Sequence, residues 1–118
     1  MKVVLNKCYG GFGLSKEAVL WMRERGHEDA LRTPILAGEK YSDGSEFTGE
    51  HERMYSESSR LYNTERHDPL MVECVETLGE RANGFLAELV IVDIPDDVQY
   101  EITDYDGIET AREVHRSW

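Results

Sequence analysis

The residues best suited to chemistry lie in one run, Asn6-Lys7-Cys8-Tyr9-Gly10-Gly11-Phe12-Gly13-Leu14-Ser15. Gly10, Gly11 and Gly13 let the backbone come close to a ligand. Ser15 can cap a helix beginning at Lys16, whose first N–H groups carry partial positive charge. With Lys7 nearby, the run has the makings of a cradle for a phosphate. The spacing matches neither familiar phosphate motif. A Walker loop needs four residues between its glycines and then Gly-Lys-Ser/Thr, and here Lys16 follows Ser15. In Gly-x-Gly-x-x-Gly, Gly11 and Gly13 fit but Lys16 stands at the third glycine. A tight strand-to-helix turn that needs positive φ is the simpler account of the same residues.

Cations near the C-terminus are the second candidate. After Arg81 the basic residues are Arg112 and Arg116, in an otherwise acidic stretch. Four apart, they share a face of a helix, and two guanidiniums there make a fork for phosphate oxygens. Local ion pairing with Glu109 and Glu113 explains them equally well. Phe85, beside Gly84, can stack on a base; a place in the core is the simpler reading. His27, His51, His67 and His115 are scattered, without the spacing of a zinc helix, and Asp104-x-Asp106-Gly107 lacks the later glutamate of a calcium loop. No metal, no cofactor and no catalytic residue are expected. Cys8 has no His or Asp beside it in sequence, and Asp96-Asp97 reads as a turn.

These residues need elements to position them. Lys2-Val3-Val4-Leu5 reads as a buried strand. Residues 16–25 read as a helix with Val19, Leu20, Trp21 and Met22 on its apolar side, ended by Gly26. Residues 39–66 form a polar insertion that clamps a ligand or reaches a neighbouring subunit. Asp68-Pro69 starts a second helix over 69–81, with Met71, Val72, Cys74, Val75 and Leu78 inward and Ala82-Asn83-Gly84 closing it. Residues 85–94 read as a strand bounded by Gly84 and Pro95. Val98, Tyr100 and Ile102 alternate with polar residues in another, and the two strands are expected to pair as a hairpin. Asp104-Tyr105-Asp106-Gly107 is a turn, and 108–118 a short helix or extended tail. The fold class is α+β, a small, mostly antiparallel sheet with two main helices on one face.

At 118 residues, a single domain over 1–118 is the expectation. A net charge of −11 argues against duplex nucleic acid and against anionic membrane surfaces. Cys8 and Cys74 do not make a disulfide framework, which suits a reducing cytosol. The apolar run at the N-terminus ends at Leu5, too short for a signal peptide.

The glycine run resembles the opening of a family of small phage proteins, the first-described anti-Thoeris sponges. Ala87-Glu88-Leu89, Ile94-Pro95-Asp96-Asp97-Val98, Tyr105-Asp106-Gly107 and His115-Arg116-Ser117-Trp118 carry the likeness through the second half. It takes in the Asp68-Pro69 helix and little of residues 27–59. The resemblance implies a non-enzymatic sponge in the host bacterial cytoplasm. It would sequester cyclic ADP-ribose isomers made by TIR-domain enzymes, blocking Thoeris immunity. Cyclic di- or trinucleotides of CBASS would bind at a separate site, and the protein would be a homo-oligomer, a dimer or hexamer. By position, Phe85 matches the aromatic that stacks on adenine, Arg112 and Arg116 the paired arginines for cyclic oligonucleotides, and Arg60 another family arginine. Pro95 replaces a polar contact. With the glycine run, the candidate ligand-binding residues are Asn6, Lys7, Gly10, Gly11, Phe12, Arg60, Phe85, Arg112 and Arg116. The alternatives are a small phosphodiesterase or nucleotidase acting on such ligands, and an acidic inhibitor that binds a protein.

Overall fold

The computed structural model describes residues 1–36, 38–40, 44–46, 58–61 and 63–114. Strand β1, Lys2–Asn6, pairs antiparallel with β4, Leu89–Asp93, from Lys2↔Asp93 to Asn6↔Leu89. The ladder continues through Ile94 N–H to Met1 O and Lys7 N–H to Glu88 O, both 2.8 Å. The hydrogen-bonded pairs therefore include Val3↔Val92 and Leu5↔Val90, while Val4 and Asn6 turn their amides outward. Those outward amides are met by side chains as well as backbone. Val4 N–H donates to Arg66 O at 2.8 Å, and Asn6 N–H donates to Glu109 Oε1 at 2.8 Å.

Helix α1, Lys16–Glu24, starts where the sequence says it should: Ser15 Oγ accepts from Ala18 N–H at 3.0 Å. It buries Ala18, Val19 and Met22, and Gly26 takes φ 78° just past its end. A short helix α2, Glu28–Arg32, is capped by His27, whose Nδ1 accepts from Ala30 N–H. Helix α3, Pro69–Leu78, has Asp68 accepting from Met71 N–H at 2.9 Å and buries Met71, Val72, Cys74, Val75 and Leu78. It stops earlier than the expected residue 81, because Gly79 turns to φ 59° and a 3₁₀ turn, Gly79–Ala82, follows. α1 and α3 close the core over Val4, Leu14 and the half-buried Ile91.

Between them, β2, Leu14–Ser15, pairs with β3, Ser58–Ser59. β5, Tyr100–Tyr105, and β6, Ile108–Glu113, form a hairpin across Asp106 (φ 52°) and Gly107 (φ 88°). The fold is α+β, and among the described residues every strand pair is antiparallel and the strands form three pairs rather than one sheet.

Two expectations are corrected here. The strand at 89–93 does not pair with the one at 100–105; it pairs with β1, and 100–105 pairs with 108–113. Residues 108–113, read as a helix or tail, are strand. The type I′ hairpin turn needs two consecutive positive φ values, which Asp106-Gly107 supplies. Pro95, with φ locked negative, ends a ladder instead. Most of the polar insertion at 39–66 lies outside the described residues. Its near end is anchored: Arg23 forks onto the Glu39 carboxylate at 2.6 and 3.0 Å, and Glu39 Oε1 also accepts from Ile35 and Leu36 N–H. Among the described residues, no helix is long and apolar enough to cross a membrane.

Candidate functional site

The glycine run leaves β1 as a loop, and three distant segments close around it. A Cβ on Gly10 would lie 2.2 Å from Leu86 Cβ, and one on Gly11 would lie 3.0 Å from the Arg60 guanidinium. A Cβ on Gly107 would lie 2.5 Å from Tyr9 O and 2.7 Å from Gly11 N. The glycines are thus needed for close backbone approach. Each closing segment also carries a non-glycine residue at positive φ, which an aspartate tolerates in a hairpin turn and a leucine takes only under strain. Leu61 (φ 47°) follows Arg60, Leu86 (φ 54°) rests on Gly10, and Asp106 (φ 52°) precedes Gly107. These are the non-glycine residues with positive φ among those described, and all three border the same loop. Left-handed backbone costs an L-residue roughly 1–2 kcal/mol and gathers at functional sites.

Asn6 holds the assembly together. Fully buried, its Nδ2 donates to Cys8 O at 2.6 Å and Gly107 O at 2.5 Å. Its Oδ1 accepts from Cys8 and Glu88 N–H. The amide is consumed within the protein, so Asn6 positions the loop. Lys7 Nζ donates to Glu109 O at 2.5 Å, tying the loop to β6. Phe12 is buried in the core with the Arg66 guanidinium 3.6 Å from its ring centre. Arg60 is exposed and makes no hydrogen bond or ion pair among the described residues. Phe85 is 46% exposed and Leu86 58%, at the tip of a turn closed by Ala87 N–H to Gly84 O. Gly84 N–H to Gly13 O, at 2.8 Å, ties that turn to the glycine loop. Tyr9 and Tyr105 stand exposed on the same loop and on the hairpin end.

The cluster therefore brings together Asn6, Lys7, Gly10, Gly11, Phe12, Arg60 and Phe85. Arg112 is elsewhere, on β6, ion-paired with Glu101 across the hairpin. The shared helical face expected of Arg112 and Arg116 is not formed, because residue 112 is in a strand; Arg116 lies outside the described residues. The α1 N-terminus is also no part of the site. β2 separates it from the glycines, Ser15 caps it, and Glu17 in its first turn pairs with Arg81.

Three participants were not evident in the sequence. Arg66 forks onto the buried Glu109 at 2.6 and 2.8 Å and donates to Val4 O at 3.3 Å. The pair plugs the outer edge of β1, where a further strand would otherwise sit. Leu86 is the third, and no local signal marks a leucine for left-handed backbone. Phe12, Arg60, Leu61, Thr64, Arg66, Asp104 and Glu109 line a cleft of about 140 Å³ beside the loop. That volume is too small for a whole nucleotide, and its two arginines face two carboxylates, Asp104 and Glu109. A wider cleft of about 690 Å³ separates the hairpin from residues 64–67. There His67 Nδ1 and Tyr100 OH are 2.6 Å apart, and burial raises the Tyr100 pKa.

What the arrangement can do is bind. It offers an exposed aromatic and aliphatic tip, a guanidinium without a partner among the described residues and close-approach backbone around one loop. Among the described residues, no group of three His, Cys, Asp or Glu side chains converges as metal ligands do. Comparison with protein-family models, with curated proteins and with solved structures finds no match to this chain.

Proposed function

We propose that this protein is a sponge for a small cyclic nucleotide, a cyclic ADP-ribose isomer, which it binds and releases unchanged. The ligand class comes from the family resemblance; the site geometry supports the binding mode. The observation that carries the reading is the pair of leucines held at positive φ beside the glycine loop, Leu61 and Leu86, with the neighbouring Arg60 and Phe85 exposed. Folding gains nothing evident from exposing Phe85 and Leu86 on a strained turn. A ligand with an adenine face and a diphosphate does. Adenine stacks on Phe85, contributing roughly 1–3 kcal/mol. The diphosphate takes the Arg60 fork and nearby backbone donors. Retention without turnover needs complementarity to the ground state alone.

The same proposal includes cyclic oligonucleotides at a separate site through Arg112 and Arg116, on a homo-oligomer, and a role in blocking Thoeris and CBASS immunity. Isothermal titration with cyclic ADP-ribose isomers tests the core of it. Binding at micromolar affinity or tighter is expected, followed by recovery of the intact ligand after heat denaturation, read by chromatography. Phe85→Ala and Arg60→Ala are expected each to weaken this ligand about tenfold or more, and Arg112→Ala to leave it unchanged. Absence of binding, or appearance of a cleaved product, overturns the proposal.

A further inference from the structure

The two outer edges of the β1–β4 ladder are treated in opposite ways. The edge of β1 is plugged by Arg66 and Glu109. The edge of β4 has no strand beside it among the described residues. The register says which groups face outward there. Val4 and Asn6 direct their N–H groups away from β4, so the residues opposite them, Ile91 and Leu89, also turn away from β1. Asn83 Oδ1 takes the Leu89 N–H at 2.9 Å. The N–H and C=O of Ile91 face outward with no strand beside them among the described residues.

Alongside runs a groove of about 560 Å³ between α3 and β4, walled by Val75, Ala87, Leu89 and Ile91. Glu80 and Glu88 also line it, and no cationic residue does among those described. Exposed β edges are ordinarily guarded by lysine, proline or a bulge. Within β4, Leu-Val-Ile-Val-Asp, there is no lysine or proline, and its charge, Asp93, stands at the far end beside the Met1 amino group.

We propose that this edge receives an extended segment of a partner protein by strand addition. In that segment apolar residues enter the groove and flanking basic residues meet Glu80 and Glu88. Charge favours this occupant over a second copy, which would bring its own Glu80 and Glu88 and a net charge of −11. The inference does not rest on the nucleotide reading.

The probe is a seven-residue peptide in which valine alternates with threonine between terminal lysines, titrated into isotope-labelled protein, with the same peptide carrying terminal glutamates as its counterpart. Binding with a Kd of about 100 µM is expected, with amide shifts centred on Leu89, Ile91 and Asp93. Exchange at the Ile91 amide should slow about fivefold or more, while Val90 and Val92, already in the ladder, stay unchanged. The glutamate peptide should bind about tenfold more weakly, and the exposed pair Glu80→Lys with Glu88→Lys should reverse that preference. No binding at about 1 mM, equal affinity for both peptides, or shifts centred on residues 9–13 overturns the proposal. So does protection of Ile91 by self-association without peptide, measured by exchange and sedimentation across the same concentrations.

Discussion

Leu86→Gly separates a residue kept for folding from one kept for its exposed side chain. Leu86 sits at φ 54°, with 58% of its surface exposed. Relief of left-handed strain returns roughly 1–2 kcal/mol. Against this, glycine adds unfolded-state freedom costing roughly 0.5–1 kcal/mol. The half-exposed side chain gives up well under about 1 kcal/mol of burial. The net is neutral to about 1 kcal/mol stabilising. Leu86→Ala keeps the strain and loses the side chain, so it falls below the parent. The useful quantity is the difference between the two variants. At an ordinary strand or helix site alanine beats glycine by roughly 0.5–1 kcal/mol; here glycine should beat alanine by about 1 kcal/mol. Urea denaturation followed by far-ultraviolet circular dichroism measures it. Both variants should also bind the cyclic ADP-ribose isomer several-fold more weakly. If glycine proves less stable than alanine, the strain argument is refuted. Unchanged ligand affinity in both would remove Leu86 from the site.

Other expectations follow from single contacts. Glu109→Gln leaves the Arg66 guanidinium without its counter-charge at a site where Glu109 is 4% exposed; a loss of about 3–5 kcal/mol in urea denaturation is expected, and under about 1 would show the pair to be unimportant. Arg66→Leu with Glu109→Leu should recover part of that loss, leaving mainly the stranded Asn6 N–H. Gly107→Ala meets both a φ of 88° and the Tyr9 carbonyl, so Tm should fall by roughly 10 °C or more, read by calorimetry. The Arg23 fork, with amides of Ile35 and Leu36, holds the Glu39 carboxyl down at about 2. Its stabilising contribution is therefore complete above the ordinary value of about 4.5 and is lost as pH falls toward 2. Acid titration of parent and Glu39→Gln should converge across that window, with a gap of about 2 kcal/mol at neutral pH after allowing for partial exposure. Burial pushes the Cys74 thiol up to about 12, so a disulfide reagent at pH 8 should titrate Cys8 quickly and Cys74 only on unfolding.

Local chemistry was readable from the chain alone. Ser15 and Asp68-Pro69 cap their helices because a short polar side chain reaches its own backbone N–H groups within a few residues. Gly26 ends a helix and Asp106-Gly107 turns a hairpin because few residue types tolerate those φ values. The α+β class followed from the two hydrophobic periods, and the compact cluster of glycines announced a place of close approach.

Tertiary structure alone decided the partners. Alternation in β4 shows that it is a strand but not that β1, more than eighty positions earlier, is its mate; the expected hairpin with β5 was the local choice, and it lost. Phe85 reads the same in sequence whether it enters the core or stands in water, and only the turn around Leu86 puts it outside. Arg60 meets Gly11, and Arg66 meets Glu109, through chain reversals that no spacing records. Caps and turns act over three or four residues and leave their mark in sequence. Strand pairing and buried charge are satisfied by whichever group packing brings near, and that choice is made by the whole chain at once.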